Sequence, residues 1–128
     1  MDGVGEWSTT SFGVGRGSSL SLHADITFPH SLGLLSSVFT YYTGFTVTSG
    51  EYKVMGLAPY GEPVYIDQMR KIVRLQRDGT FELDLDFFVH HAEGATMTWD
   101  DGSPELGTLY SERLLRVFGE PRIPRSEI

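Results

Sequence analysis

Glu51 and Lys53 stand two residues apart within Ser49-Gly50-Glu51-Tyr52-Lys53-Val54-Met55-Gly56-Leu57-Ala58-Pro59-Tyr60-Gly61, a run that also carries three glycines, a proline and two tyrosines. An ammonium here can meet a phosphate, and a carboxylate can meet a ribose or sugar hydroxyl. The glycines let the backbone approach a ligand or turn with positive φ. The mixture suits neither an apolar helix face nor an alternating strand. As chemistry, the stretch is built to hold a ligand. As structure alone, it is a long surface turn with Glu51 and Lys53 solvated and Tyr52 and Met55 covering the core.

A second group lies at the start of the chain. Asp2-Gly3-Val4-Gly5-Glu6, followed by Ser8, Thr9 and Thr10, sets two carboxylates beside flexible backbone and hydroxyls. In phosphate-binding folds, an acidic residue at a strand end can hold a metal while nearby glycine amides contact phosphate oxygens; a glycine-rich turn before a strand has the same composition. The four histidines are weaker metal candidates. His90 and His91 are adjacent, so in extended chain they point to opposite faces. His23 falls on the polar side of a strand, and His30 beside a helix start suits a surface or capping role. Glu82, Asp84 and Asp86 read as a solvated strand face or a weak cation site. The sequence contains no Walker lysine motif, dinucleotide fingerprint or Gly-x-Ser-x-Gly elbow.

Composition narrows the choices. A chain of 128 residues is long enough for one domain with a sizeable core. Its net charge of −7 argues against nonspecific binding to nucleic acid or anionic membrane. The absence of cysteine removes disulfides, thiolate metal sites and a cysteine nucleophile. No apolar run is long enough for a membrane span and no leader pattern opens the chain, which fits a cytoplasmic protein.

The elements that must position these groups follow from periodicity. Residues 6–28 predict a β-hairpin, with Gly13-Val14-Gly15-Arg16-Gly17 as its turn and Leu20, Leu22, Ala24 and Ile26 as the apolar face of a half-buried strand. Residues 31–43 predict a helix capped by Ser31 and stopped by Gly44, burying Leu32, Leu35, Val38, Phe39 and Tyr42. A second helix is expected after Pro63, ending near Gln76, with Tyr65, Met69, Ile72 and Val73 on one face. After the Asp78-Gly79 turn, Phe81, Leu83, Leu85 and Phe87 predict a strand, residues 89–102 a loop, and residues 104–118 a last helix. The proline-punctuated tail is expected to be extended and to pack against nothing obvious. The order is mixed α and β, an α+β or α/β chain of one unit over residues 1–128.

Three long motifs carry a resemblance. Asp2-Gly3-Val4-Gly5-Glu6-Trp7-Ser8-Thr9, then Phe28-Pro29-His30-Ser31-Leu32-Gly33-Leu34-Leu35, then residues 49–61 are similar, in this order, to the ATP-dependent O-carbamoyltransferases, a family that includes nodulation-factor and antibiotic carbamoyltransferases. The likeness extends through Asp78-Gly79-Thr80-Phe81 and Phe118-Gly119-Glu120-Pro121-Arg122. It implies part of an actin-like ATPase domain, related to the tRNA threonylcarbamoyl-modification protein, heat-shock ATPases and sugar kinases. In that family a second domain makes carbamoyl-adenylate from carbamoyl phosphate and ATP, and the actin-like domain transfers the carbamoyl group to an acceptor hydroxyl and releases AMP. By position, the resemblance implies Asp2 as a ligand of an iron or magnesium ion. It implies Gly3, Val4, Gly5 and Glu6 as the loop beside the adenylate phosphate, and Glu51, Lys53 and Gly61 as further nucleotide contacts. The general base is not identified.

The family pattern also expects paired histidine ligands before Asp2, and another metal aspartate and the carbamoyl-adenylate domain after Ile128. The expectation is therefore a fragment, inactive by itself. A nucleotide- or sugar-binding module without catalysis is the alternative, and a sugar kinase the weaker third. Ser36, Thr43 and Thr48 depart from the family pattern in ways that touch packing. Acceptor and oligomeric state stay open.

Overall fold

Thr9 marks the point at which the first hairpin enters the core, because it is buried while most of the residues on either side of it are not. The computed structural model describes residues 3–47, 49–94, 97–100 and 103–124. β1 (Ser8–Arg16) and β2 (Ser19–Thr27) form an antiparallel hairpin whose register shifts between Ser8 and Thr10 and between Phe12 and Gly13. The reversal is tighter than expected. Arg16 pairs with Ser19, leaving only Gly17 and Ser18 in the turn, with Gly17 at φ 59°. Such two-residue turns need positive φ and match the strand twist. The rest of the glycine run lies within β1. There Gly13 passes so close to β2 that a Cβ would sit 2.2 Å from the Ser21 carbonyl oxygen.

The expected half-burial of β2 holds only at its base. Ile26 is buried, whereas Leu20 is 72% and Leu22 66% exposed. Alternation defines which side chains share a face, but burial needs a neighbour to cover that face.

α1 (Leu32–Tyr42) follows the sequence expectation closely. The Ser31 hydroxyl accepts the Leu34 N–H at 3.0 Å, satisfying a donor the first turn leaves open. Gly44 at φ 79° closes the other end. α1 buries Leu34, Leu35, Val38, Thr40 and Tyr42, whereas Leu32 and Phe39, also expected inside, are only half-buried at the edge of the core.

Residues 49–61 form a helix rather than a turn: α2 (Glu51–Leu57) runs directly into a 3₁₀ turn, Ala58–Tyr60. Glu51, Lys53, Met55 and Leu57 are good helix formers, and this local preference prevails where no side chain is buried. Gly50 is needed at the start, since a Cβ would lie 2.5 Å from the Thr46 carbonyl oxygen and 2.8 Å from the Phe45 side chain.

α3 (Ile66–Ile72) stops before its expected end because Val73 turns extended, at φ −105° and ψ 111°. β3 (Val73–Leu75) then pairs antiparallel with β4 (Phe81–Leu83) around Asp78 and Gly79. The Asp78 carboxylate accepts from the Thr80 amide and hydroxyl, and the hydroxyl bond first of all holds its pKa below the ordinary value. The expected strand through Phe87 gives way to a 3₁₀ turn, Leu85–Phe87, begun by the Asp84 side chain accepting from the Asp86 N–H.

The expected loop contains α4 (His90–Glu93) and β5 (Met97–Asp100), and β5 pairs with β6 (Ser103–Leu106), which takes the place of the start of the expected last helix. The last helix is correspondingly shorter: α5 (Glu112–Phe118) is capped by Ser111 and ends at Gly119 with φ 93°. Among the described residues all strand pairs are antiparallel, in three two-stranded sheets, so the architecture is α+β.

The core lies where α1, α3, β4, the Leu85–Phe87 turn and α5 meet. Val38, Ile72, Leu83, Phe87, Phe88, Leu109 and Leu114 are its most enclosed apolar members. The tail packs against it, contrary to expectation. Arg122 donates its backbone N–H to the Tyr42 carbonyl and its guanidinium to the Thr43 carbonyl, while its guanidinium also covers the Phe45 ring at 5.3 Å.

Candidate functional site

The glycine-rich approach to β1 is fixed from behind. The Phe28 N–H donates to the Trp7 carbonyl at 3.0 Å, and the Trp7 and Phe28 rings lie 6.0 Å apart. Ahead of this anchor, Gly5 takes φ 58°, a conformation that favours glycine, and Val4, Gly5 and Glu6 are exposed. No atom would meet a Cβ at Gly3 within 4 Å. Asp2, the expected metal ligand, lies outside the described residues.

α2 carries the second set of expected contacts. Positions i and i+2 on a helix do not face each other, so Glu51 and Lys53 project from different sides of α2. Glu51 occupies the first turn, where a carboxylate complements the helix dipole. Lys53 is exposed, with its ammonium 5.9 Å from the Tyr52 ring centre. Gly61 follows the 3₁₀ turn at φ −100°, and a Cβ there would meet only the Ala58 carbonyl oxygen, at 3.8 Å. Space, rather than backbone strain, distinguishes this position. The two sets thus occupy the approach to the hairpin and an exposed helix.

Three other features lie apart from these two sets. Two carboxylates of the acidic segment face arginines: Asp84 bridges Arg74 at 2.6 Å and Arg113 at 3.5 Å, and Asp86 bridges Arg113 at 2.5 Å. This network ties β3, the 3₁₀ turn and α5 together, so the carboxylates are engaged structurally. Among the described residues no three His, Cys, Asp or Glu side chains group to hold a metal.

Two apolar clefts of about 470 Å³ each share Tyr65 and Met69. One lies along α3 and extends to Leu75; the other lies between α1 and Phe118. Neither is lined by the glycine loop, Glu51, Lys53 or Gly61.

His90 is 2% exposed and packs against Phe28 and Phe88, its Nε2 3.2 Å from the Pro29 carbonyl oxygen. Burial, above all, pushes its pKa below the usual histidine value. His30 is also inside the fold's wiring, its Nδ1 accepting the Leu83 N–H at 3.0 Å. The aromatic residues near both histidines in sequence were the available signal; the long-range pairing was not.

Residues 1–104 match the family model described as Carbamoyltransferase N-terminus. The chain is 52% identical over 123 residues to the uncharacterized protein sll1178 of Synechocystis, covering 95% of this chain and 18% of that protein. It is 36% identical over 87 residues to the nodulation protein NolNO of Sinorhizobium fredii, covering 67% of this chain and 13% of that protein. The chain therefore spans less than one fifth of the length of either relative. Among the described residues no helix is long and apolar enough to cross a membrane. With the family model matched over most of its length, the chain belongs to the carbamoyltransferase family and corresponds to its N-terminal region.

Proposed function

We propose that the chain forms part of the actin-like domain of an enzyme that transfers a carbamoyl group from carbamoyl phosphate to a hydroxyl of a sugar-containing or secondary metabolite, through a carbamoyl-adenylate made with ATP. The family match over residues 1–104 is the observation that carries this reading. The exposed glycine loop, with Gly5 at positive φ, supports a phosphate-facing role for Gly3, Val4, Gly5 and Glu6. The exposed ammonium of Lys53 supports a contact to the same nucleotide, with Glu51 in the first turn of the same helix and Gly61 at the end of the 3₁₀ turn that follows it.

In the transfer step, the acceptor oxygen bonds to the carbamoyl carbon, the bond from that carbon to the adenylate phosphate oxygen breaks, and the hydroxyl proton passes to a base. Backbone N–H groups of the glycine loop orient the phosphate. Lys53 offsets the negative charge that gathers on it as AMP leaves. Asp2 would supply one carboxylate to an iron or magnesium ion, which would add Lewis-acid stabilisation at the phosphate. The described residues do not assemble a ligand set for that ion, and phosphate orientation and charge compensation rest on the chain's own groups.

The test is AMP release by the polypeptide expressed from the complete reading frame, supplied with ATP, carbamoyl phosphate and a panel of hydroxylated acceptors. The expected result is AMP formation that requires both carbamoyl phosphate and an acceptor. Nucleotide turnover indifferent to carbamoyl phosphate would overturn the reading. Lys53→Ala should weaken 5′-adenylate binding by about tenfold or more, the loss expected for one charge-assisted contact. Calorimetric titration measures it.

A further inference from the structure

The Phe28-Pro29 corner joins the hairpin to α1, and two imidazoles from distant parts of the structure fasten it. His30 reaches from the corner to β4, where its Nδ1 accepts the Leu83 N–H. His90 reaches back from α4 to the corner, where its Nε2 meets the Pro29 carbonyl. A carbonyl can only accept, so Nε2 of His90 bears the hydrogen and its Nδ1 holds a lone pair. That Nδ1 is buried and has no hydrogen-bond partner. His30 must likewise keep the lone pair on Nδ1 to accept from Leu83. Both rings are therefore fixed as Nε2–H tautomers, and both are neutral when the contacts are made.

We propose that His30 and His90 form a clamp that positions the base of the hairpin against the core, closed when both rings are neutral and loosened when they are protonated. A proton added to His30 Nδ1 would set two donors against each other at Leu83. One added to His90 Nδ1 would place an N–H without an acceptor among Phe28, Phe88 and the ring of His91. A positive charge on His91 or on His30 would oppose one on His90. Asp84, next to Leu83 in β4, does not relieve this at His30, since it is turned to Arg74 and Arg113. Thr9 adds a third fastening, its hydroxyl reaching the carbonyls of Ile26 and His30.

The clamp has a direct route to the glycine loop. Phe28 packs against both His90 and Trp7, and its N–H holds the Trp7 carbonyl. Loosening the corner therefore loosens the approach to Gly3, Val4, Gly5 and Glu6. This last consequence, regulation of the nucleotide loop, rests on the proposed function; the clamp itself does not.

The experiment is NMR of the intact chain without nucleotide. Imidazole ¹⁵N shifts at neutral pH should show His30 and His90 as Nε2–H tautomers, with the exposed His23 and His91 as internal references. Amide protection factors at Leu83 and Phe28 should fall below the onset of protonation by up to about tenfold per pH unit for each imidazole that gains a proton on opening. The His30→Asn, His90→Gln double variant retains an acceptor and a donor near the original positions but cannot titrate, so its protection should stay level over the same range. An Nδ1–H tautomer for either ring, or protection in the wild type that does not fall with pH, would overturn the clamp. So would a double variant that loses protection in parallel with the wild type. Each readout is independent of adenylate binding, so a failed clamp and a failed nucleotide assignment remain distinguishable.

Discussion

The outer half of the first hairpin and the segment from Phe81 to Phe88 both alternate apolar with polar residues, yet their surroundings are opposite. Leu20 and Leu22 are 72% and 66% exposed, while Leu83 and Phe87 are 3% and 1% exposed. The second segment is enclosed by α1, α3 and α5 and is held by the Asp84–Arg113–Asp86 ion pairs. Among the described residues, the outer half of the hairpin pairs as a strand only within the hairpin, and its Leu20 and Leu22 stay exposed. Stability should therefore be concentrated in one part of the chain, since burial and packing density set the cost of a truncation.

The largest test of that contrast is Phe87→Ala, which removes a buried ring that also carries the Arg113 guanidinium 4.5 Å from its centre. It should cost about 3–5 kcal/mol by urea denaturation. Asp84→Ala should cost about 1–2 kcal/mol, because it removes the shared partner of Arg74 and Arg113 but leaves both arginines access to water.

A pH titration of stability sharpens the same contrast. His90 has its folded pKa below the ordinary 6.5, chiefly through burial, so the unfolded chain binds its proton more readily. Its contribution is full above about pH 6.5 and falls as the pH drops from there through the lowered folded value. Denaturation midpoints should decline over that window, and His90→Gln should flatten the decline.

In the exposed region the effects should be small and of either sign. Gly56 lies within α2 with open space around a Cβ, so Gly56→Ala should stabilise by about 0.5–1 kcal/mol in thermal unfolding. Leu22→Ser should move the denaturation midpoint by no more than about 0.5 kcal/mol in energy. A loss on the scale of Phe87→Ala would show that this face is covered in solution.

Legibility in the sequence followed the range of the signals. α1 was readable because Ser31, the apolar spacing and Gly44 all act within a few residues. The hairpin and the β4 segment were readable as alternating strands, but their burial was decided by distant partners. α2 is hidden because its glycines and proline read as breakers, although helix-forming side chains lie between them. The β5–β6 hairpin and the short α5 show the reverse error: helical spacing after Pro104 suggests a helix, while Ser111 sets the actual start. The nucleotide expectations at Gly3, Val4, Gly5, Glu6, Glu51, Lys53 and Gly61 rest on residue chemistry and on motif similarity; Val4, Gly5, Glu6, Lys53 and Gly61 are exposed, and Gly3 and Glu51 are half-buried. The pairings of His30 with Leu83 and of Pro29 with His90 span 53 and 61 residues, beyond any local pattern.

The stitching of the tail to α1 has a consequence for synthesis. The Tyr42 hydroxyl donates to the Gly119 carbonyl across 77 positions, and Arg122 closes on Thr43 across 79. A ribosome delivers residues in order, so α1 is complete long before its last partners emerge. Contacts this remote are entropically slow to form and cannot assist the early chain. Until residues 118–122 clear the exit tunnel, the aromatic face of Phe39 and Tyr42 must wait uncovered, a nascent surface on which chaperones could act before the fold is closed.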